Sequence, residues 1–146
     1  TVWGNPCEIP DIRYVALFDT VGSFGLPGNR VNLGYHLGLP PNVKVARQAV
    51  AADEHRQLFP LTPLTPEIDG QDFEQSYFPG DHSDIGRGHG LDTRDLSYAP
   101  LVYIWSEGIK ADVPFGPLPD FTLTGNTTPH DLSMAFPHNL LPKRSR

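Results

Sequence analysis

A single cysteine, Cys7, is the whole thiol content of this 146-residue chain, which excludes an internal disulfide framework and any cysteine-rich zinc site. Cations are also scarce. Eleven Lys and Arg stand against 17 Asp and Glu, a net charge of −6, so the basic footprint of a nucleic-acid binder is missing and no nucleic-acid partner is expected. The one basic run, Lys143-Arg144-Ser145-Arg146, reads as a solvated end. No stretch approaches the ~18 apolar residues of a membrane span, and the start has no charged-then-apolar signal pattern, so a soluble chain without a transmembrane segment is expected. Long uninterrupted elements are lacking too: 16 Pro and 14 Gly make up about a fifth of the positions. With 38% apolar residues there is still material for a core, and the balance points to a loop-rich α/β or α+β unit. The chain opens on Thr1 and runs almost at once into a strand-like segment, as a piece of a longer parent would.

What is present begins with Ile12–Phe18, a nearly continuous run of aromatic and β-branched residues that ends at Asp19-Thr20-Val21-Gly22. It predicts a buried central strand feeding a loop. Residues 23–39, punctuated by Gly25, Gly28, Gly34 and Gly38, predict a long excursion. Asn42 as an N-cap, with Val43, Ala46, Ala49, Val50 and Ala52 at helical spacing, predicts a helix over Val43–Gln57. Pro60, Pro63 and Pro66 mark a rigid connection to a second strand, Phe73–Phe78, closed by Pro79-Gly80. A polar loop over residues 81–90 follows, then a helix from about Thr93 to Ser106 in which Pro100 imposes a kink or a later start. Beyond Gly108 the text is rich in Pro and Gly, and Thr127-Thr128-Pro129-His130-Asp131 stands out.

Strands that each end in an ionisable residue present a site at the carboxyl edge of an open α/β sheet. Asp19 follows the first strand and His82 the second. Asp then His is the second half of the hydrolase order Ser, Asp, His, in which the histidine removes the serine proton and the carboxylate orients it. The serine is missing: no Gly-x-Ser-x-Gly occurs, Ser23 sits in Val21-Gly22-Ser23-Phe24-Gly25, and the residues before Asp19 contain no serine. A further carboxylate, Asp81, stands beside His82, and a carboxylate there raises a histidine's pKa, so the sequence leaves open which of Asp19 and Asp81 meets the imidazole.

Three segments, Arg13–Gly25, Ala46–Phe59 and Tyr77–Gly86, resemble in order the signatures of one family. It is the formerly uncharacterised α/β-hydrolase domain family that includes phospholipase effectors of the bacterial type VI secretion system, and the resemblance spans roughly Ile12 to Trp105. The resemblance implies a fold class: α/β, the carboxyl-terminal portion of an α/β-hydrolase sheet with flanking helices and long Pro/Gly-rich loops. Residues 1–146 would form a single partial domain whose serine-bearing amino-terminal part lies upstream, in cis or on a second chain. It also implies a serine-type ester hydrolase, a phospholipase secreted into the periplasm or to the membrane surface of a target cell. Asp19 and His82 are then the catalytic pair, with Asp81, Asp84 and His130 as possible supporting residues and no cofactor or metal. Partners implied by that scheme are a phospholipid or other ester substrate, and an immunity protein or a secretion spike protein. Leu39, Phe115 and other apolar residues of the Pro-rich loops suit either an apolar rim for a membrane substrate or closure of the core.

Other readings compete. The absent serine favours a non-catalytic module that binds such a partner. Asp53-Glu54-His55-Arg56 reads as a structural ion pair between Arg56 and one of the acids. Asp81, His82, Asp84 and His89, joined by His130 and Asp131, also suit an oxygen and nitrogen metal site, although such spacing arises easily in polar loops.

Overall fold

The computed structural model describes residues 8–22, 38–56, 58–89, 94–120, 122–125 and 127–134. Three strands, β1 (Ile12–Phe18), β2 (Val43–Ala51) and β3 (Asp72–Phe78), form one parallel sheet in the order β1-β2-β3. Tyr14 lies opposite Val45 and Phe18 opposite Ala49, while Val45 faces Asp72 and Ala51 faces Phe78. After β3 come a short helix, α1 (His82–Gly86), a long one, α2 (Arg94–Lys110), and a 3-10 turn at Leu132–Met134. The architecture is a small α/β unit.

Two expectations are corrected. The segment read as a helix over Val43–Gln57 is the central strand β2, and β1, expected at the centre, lies at an edge of the sheet formed by the described residues, with Ile12, Arg13 and Ala16 exposed. Every residue of β2 from Ala46 to Ala51 is buried, because both faces of the sheet are covered there. A parallel strand buried on both sides shows no polar alternation, and its alanines recur at intervals that also fit a helical stripe. Ala46 packs with Leu39, Val43 and Leu64, whereas Ala49 and Ala51 pack with Ile85 of α1 and Ile104 of α2. Of its two readings, Leu39 therefore takes the one in the core. Asn42, expected to cap a helix, instead donates from Nδ2 to the Pro10 carbonyl.

Arg47 ties the layers together. Its Nε donates to Glu107 of α2 at 2.8 Å, and its Nη1 and Nη2 reach Oδ1 and Oδ2 of Asp72 on β3 at 2.9 and 3.0 Å. Helix α2 passes through the buried Pro100 and beyond the expected end at Ser106. It stops in a Schellman arrangement, with Asp112 at φ 58, its N–H bonded to the Ile109 carbonyl and that of Val113 to the Gly108 carbonyl. Among the described residues no helix is long and apolar enough to cross a membrane. The readings placed on Cys7, the helix start at Thr93, the basic tail and most of the 23–39 excursion lie outside the described residues.

Candidate active site

Because all three strands run the same way, the residues that follow them gather at one edge of the sheet: Asp19 after β1, Asp53 to Arg56 after β2, and Asp81 and His82 after β3. Asp19 has φ 44, a left-handed conformation that Asp tolerates better than most residues. Its N–H donates to the Ala49 carbonyl at 2.7 Å, and its Oδ1 accepts the Ala51 N–H at 2.9 Å. The carboxylate thus extends the β1–β2 ladder by one rung with a side chain, which fixes the direction of the other oxygen. That oxygen, Oδ2, lies 3.0 Å from His82 Nδ1. Asp19 is fully buried, and the His82 side chain keeps 32% of its surface open.

His82 is aimed by the start of α1. The sequence suggested an open loop over residues 81–90, but Asp81 caps a five-residue helix inside it. Asp81 Oδ1 accepts the Ser83 and Asp84 N–H groups, both at 2.8 Å, while Asp84 Oδ2 accepts the Asp81 N–H at 2.9 Å. This reciprocal box turns the Asp81 carboxylate toward the helix amides, so Asp19 and not Asp81 meets the imidazole. The sign was in the sequence, where Asp81 and Asp84 bracket a turn at the capping interval. Gly80, at φ 117, makes the approach, and its N–H donates to Asp53 Oδ2 at 2.7 Å.

Glu54, one of the acids expected to pair with Arg56, holds the same residue from the other side. Its Oε2 accepts the His82 N–H at 3.2 Å, and both its oxygens take the Arg56 guanidinium. The ion pair expected of this segment is therefore present, on a loop instead of a helix. Burial alone would raise the Glu54 pKa, but the hydrogen bonds and charge of Arg56 outweigh it and hold the carboxyl below its ordinary value. Arg56 lies 3.8 Å above the Phe59 ring, which in turn packs against His82 with centroids 5.2 Å apart. Gln48, a residue the sequence did not single out, is fully buried on β2 and binds the Thr20 N–H, the Thr62 carbonyl and Gln75, steadying the turn after Asp19.

The proposed supporting residues form a second group. Asp84 Oδ1 lies 2.7 Å from His130 Nδ1, Asp84 Oδ2 accepts the His130 N–H at 3.0 Å, and His89 Nε2 is 3.2 Å from Asp81 Oδ1. Asp131 turns instead to Ser133, accepting its N–H at 3.0 Å. The polar cluster around α1 is thereby divided: His82 belongs to Asp19, while Asp81, Asp84, His89 and His130 belong to one another. Phe115, read as part of a rim or of the core, is exposed and packs edge-on against Tyr14 at 6.5 Å.

Residues 4–107 match the family model described as type VI secretion system (T6SS) phospholipase effector Tle1-like, catalytic domain. No curated protein and no solved structure matches the chain.

Proposed function

Because the chain belongs to the T6SS phospholipase effector Tle1-like catalytic domain family, we propose that Asp19 and His82 are the acid and base of a serine-type ester hydrolase acting on phospholipid. The observation that carries this reading is the 3.0 Å contact between His82 Nδ1 and a fully buried Asp19 oxygen at the carboxyl edge of a parallel sheet. With Nδ1–H donating to Asp19, the neutral ring leaves Nε2 unprotonated, on the side where a hydroxyl can be received. His82 then takes the proton of a serine as it attacks the acyl carbonyl and returns it to the departing alcohol, and Asp19 stabilises the imidazolium in between.

The serine in this scheme stands upstream of Asp19 in chain order, in cis or on a second polypeptide, and residues 1–146 are the carboxyl-terminal part of an α/β-hydrolase domain. The family supports delivery to a target cell and a cognate immunity protein as partner.

The test is phospholipase assay of the protein assembled with its serine-bearing portion. His82→Ala should abolish turnover, and Asp19→Asn should lower kcat by roughly 10⁴, the size of loss seen when a triad carboxylate is neutralised. Full activity in Asp19→Asn would end the acid assignment. An intact protein with no esterase activity on any phospholipid would favour a binding module.

A further inference from the structure

Apart from the Asp19–His82 pair, two imidazoles converge on one buried carboxylate. His130 Nδ1 is 2.7 Å and His89 Nε2 is 3.7 Å from the same atom, Asp84 Oδ1, and the three ligand atoms lie within 4.8 Å of one another. The two rings stack at 4.0 Å with their planes 27° apart, which holds His89 and His130 side by side next to Asp84. These residues come from three places in the chain, α1, the segment after it, and residues 127–134.

The surroundings suit a cation. Asp84 Oδ2 already accepts the N–H groups of Asp81 and His130, which orients the carboxylate so that Oδ1 faces the rings, as outer hydrogen bonds do for metal-bound carboxylates. Asp81 lies beside them, its Oδ1 at 3.2 Å from His89 Nε2, and its Oδ2 is buried without a hydrogen-bond partner among the described residues. Two carboxylates, each 1% exposed, therefore share one capping box. Arg56 feels the charge of Asp81, but its guanidinium is bonded to Glu54.

We infer that Asp84, His89 and His130 bind a divalent transition ion of the zinc class, with the fourth position beside Asp81. Ligands at about 2.0–2.1 Å from tetrahedral zinc lie about 3.3 Å apart, and the separations of 2.7 and 3.7 Å to Asp84 Oδ1 straddle that value. Two imidazole nitrogens with carboxylate oxygen select zinc-like ions over Mg²⁺ or Ca²⁺, which prefer all-oxygen shells. Bound there, the ion clamps α1, whose first residue is His82, to residues 127–134, and its binding energy becomes folding energy. The inference does not depend on the esterase reading, because its readouts use no lipid.

The experiment is titration of the chelator-stripped full chain with Zn²⁺ and, in parallel, Mg²⁺, followed by calorimetry, thermal melting and imidazole ¹⁵N resonances. One equivalent of Zn²⁺ should bind and raise the melting midpoint while Mg²⁺ does neither, and the shifted resonances should be His89 Nε2 and His130 Nδ1. His89→Ala and His130→Ala should each weaken zinc by more than the ~10–100-fold that loss of an outer partner costs. The ¹⁵N measurement on the unaltered protein decides the matter even where a variant fails to fold. Binding below one equivalent, ¹⁵N shifts confined to other histidines, or unchanged zinc affinity in a folded His89→Ala variant would overturn the site.

Discussion

Glu54 holds His82 by its backbone: the His82 N–H donates to Glu54 Oε2 at 3.2 Å, and the same carboxylate is bonded to Arg56. The residue carrying the candidate base is thus gripped twice, by Asp19 at the ring and by Glu54 at the main chain. Both members of the Glu54–Arg56 pair are almost completely buried, so removing either one strands a charge away from water.

Arg56→Ala should therefore destabilise the protein by about 3–5 kcal/mol, and urea denaturation at pH 7 checks this. The pair also makes stability fall with acid. The Glu54 pKa is lowered in the fold, so its contribution is present above the unfolded value and lost as pH falls through the folded one. In Arg56→Ala that acid-side dependence should shrink.

Asp81 and Asp19 should respond differently to the same chemical change. Asp81→Asn keeps an oxygen for the Ser83 and Asp84 amides and does not touch the His82 ring, so kcat should fall less than tenfold. Asp19→Asn, which removes the charge facing Nδ1, should lose far more in the same phospholipase assay. Equal losses would mean that the imidazole is served by both carboxylates.

Two glycines offer a test of how tightly α1 is seated. Gly70 and Gly80 both have positive φ, 86 and 117, but an added Cβ meets nothing within 4 Å at Gly70, whereas at Gly80 it comes 2.5 Å from Asp84 Cβ. Gly70→Ala should cost only the backbone strain, about 1 kcal/mol. Gly80→Ala should cost that plus a displacement of α1, and should lower activity as well as the melting midpoint.

Tyr14 reports on the packing of β1 against α2. Its hydroxyl donates to the Ile104 carbonyl at 2.7 Å, and burial pushes its pKa up to about 12, against a smaller lowering by Arg47. The raised value means that this stabilisation is complete below the unfolded pKa and is lost as pH rises through the folded one. Ultraviolet difference titration should show Tyr14 ionising near pH 12, and Tyr14→Phe should reduce the phenol signal there by one group.

Much of this was legible along the chain. Ile12–Phe18 announces a strand through its aromatic and β-branched run, β3 appears within a residue of its expected start, and Leu96 is buried on the expected α2. The central strand was not legible. Ala46, Ala49 and Ala51 suit a helix by propensity, and only their burial between two layers makes them a strand. Helix α1 escaped because five residues are too few for a period, and its signature was the capping pair Asp81 and Asp84.

By itself, then, the sequence determined the order of the chemistry: a carboxylate after one strand and an imidazole after another, on an acidic chain with one thiol. Which groups touch was decided only by the tertiary structure. Parallel pairing of β1 and β3 across β2 brings Asp19 to His82 over 63 residues, while the start of α1 turns the adjacent Asp81 onto its own amides. Sequence neighbours share a backbone, but the direction of a side chain is set by the hydrogen bonds that its element must satisfy, and those exist only once the sheet has formed.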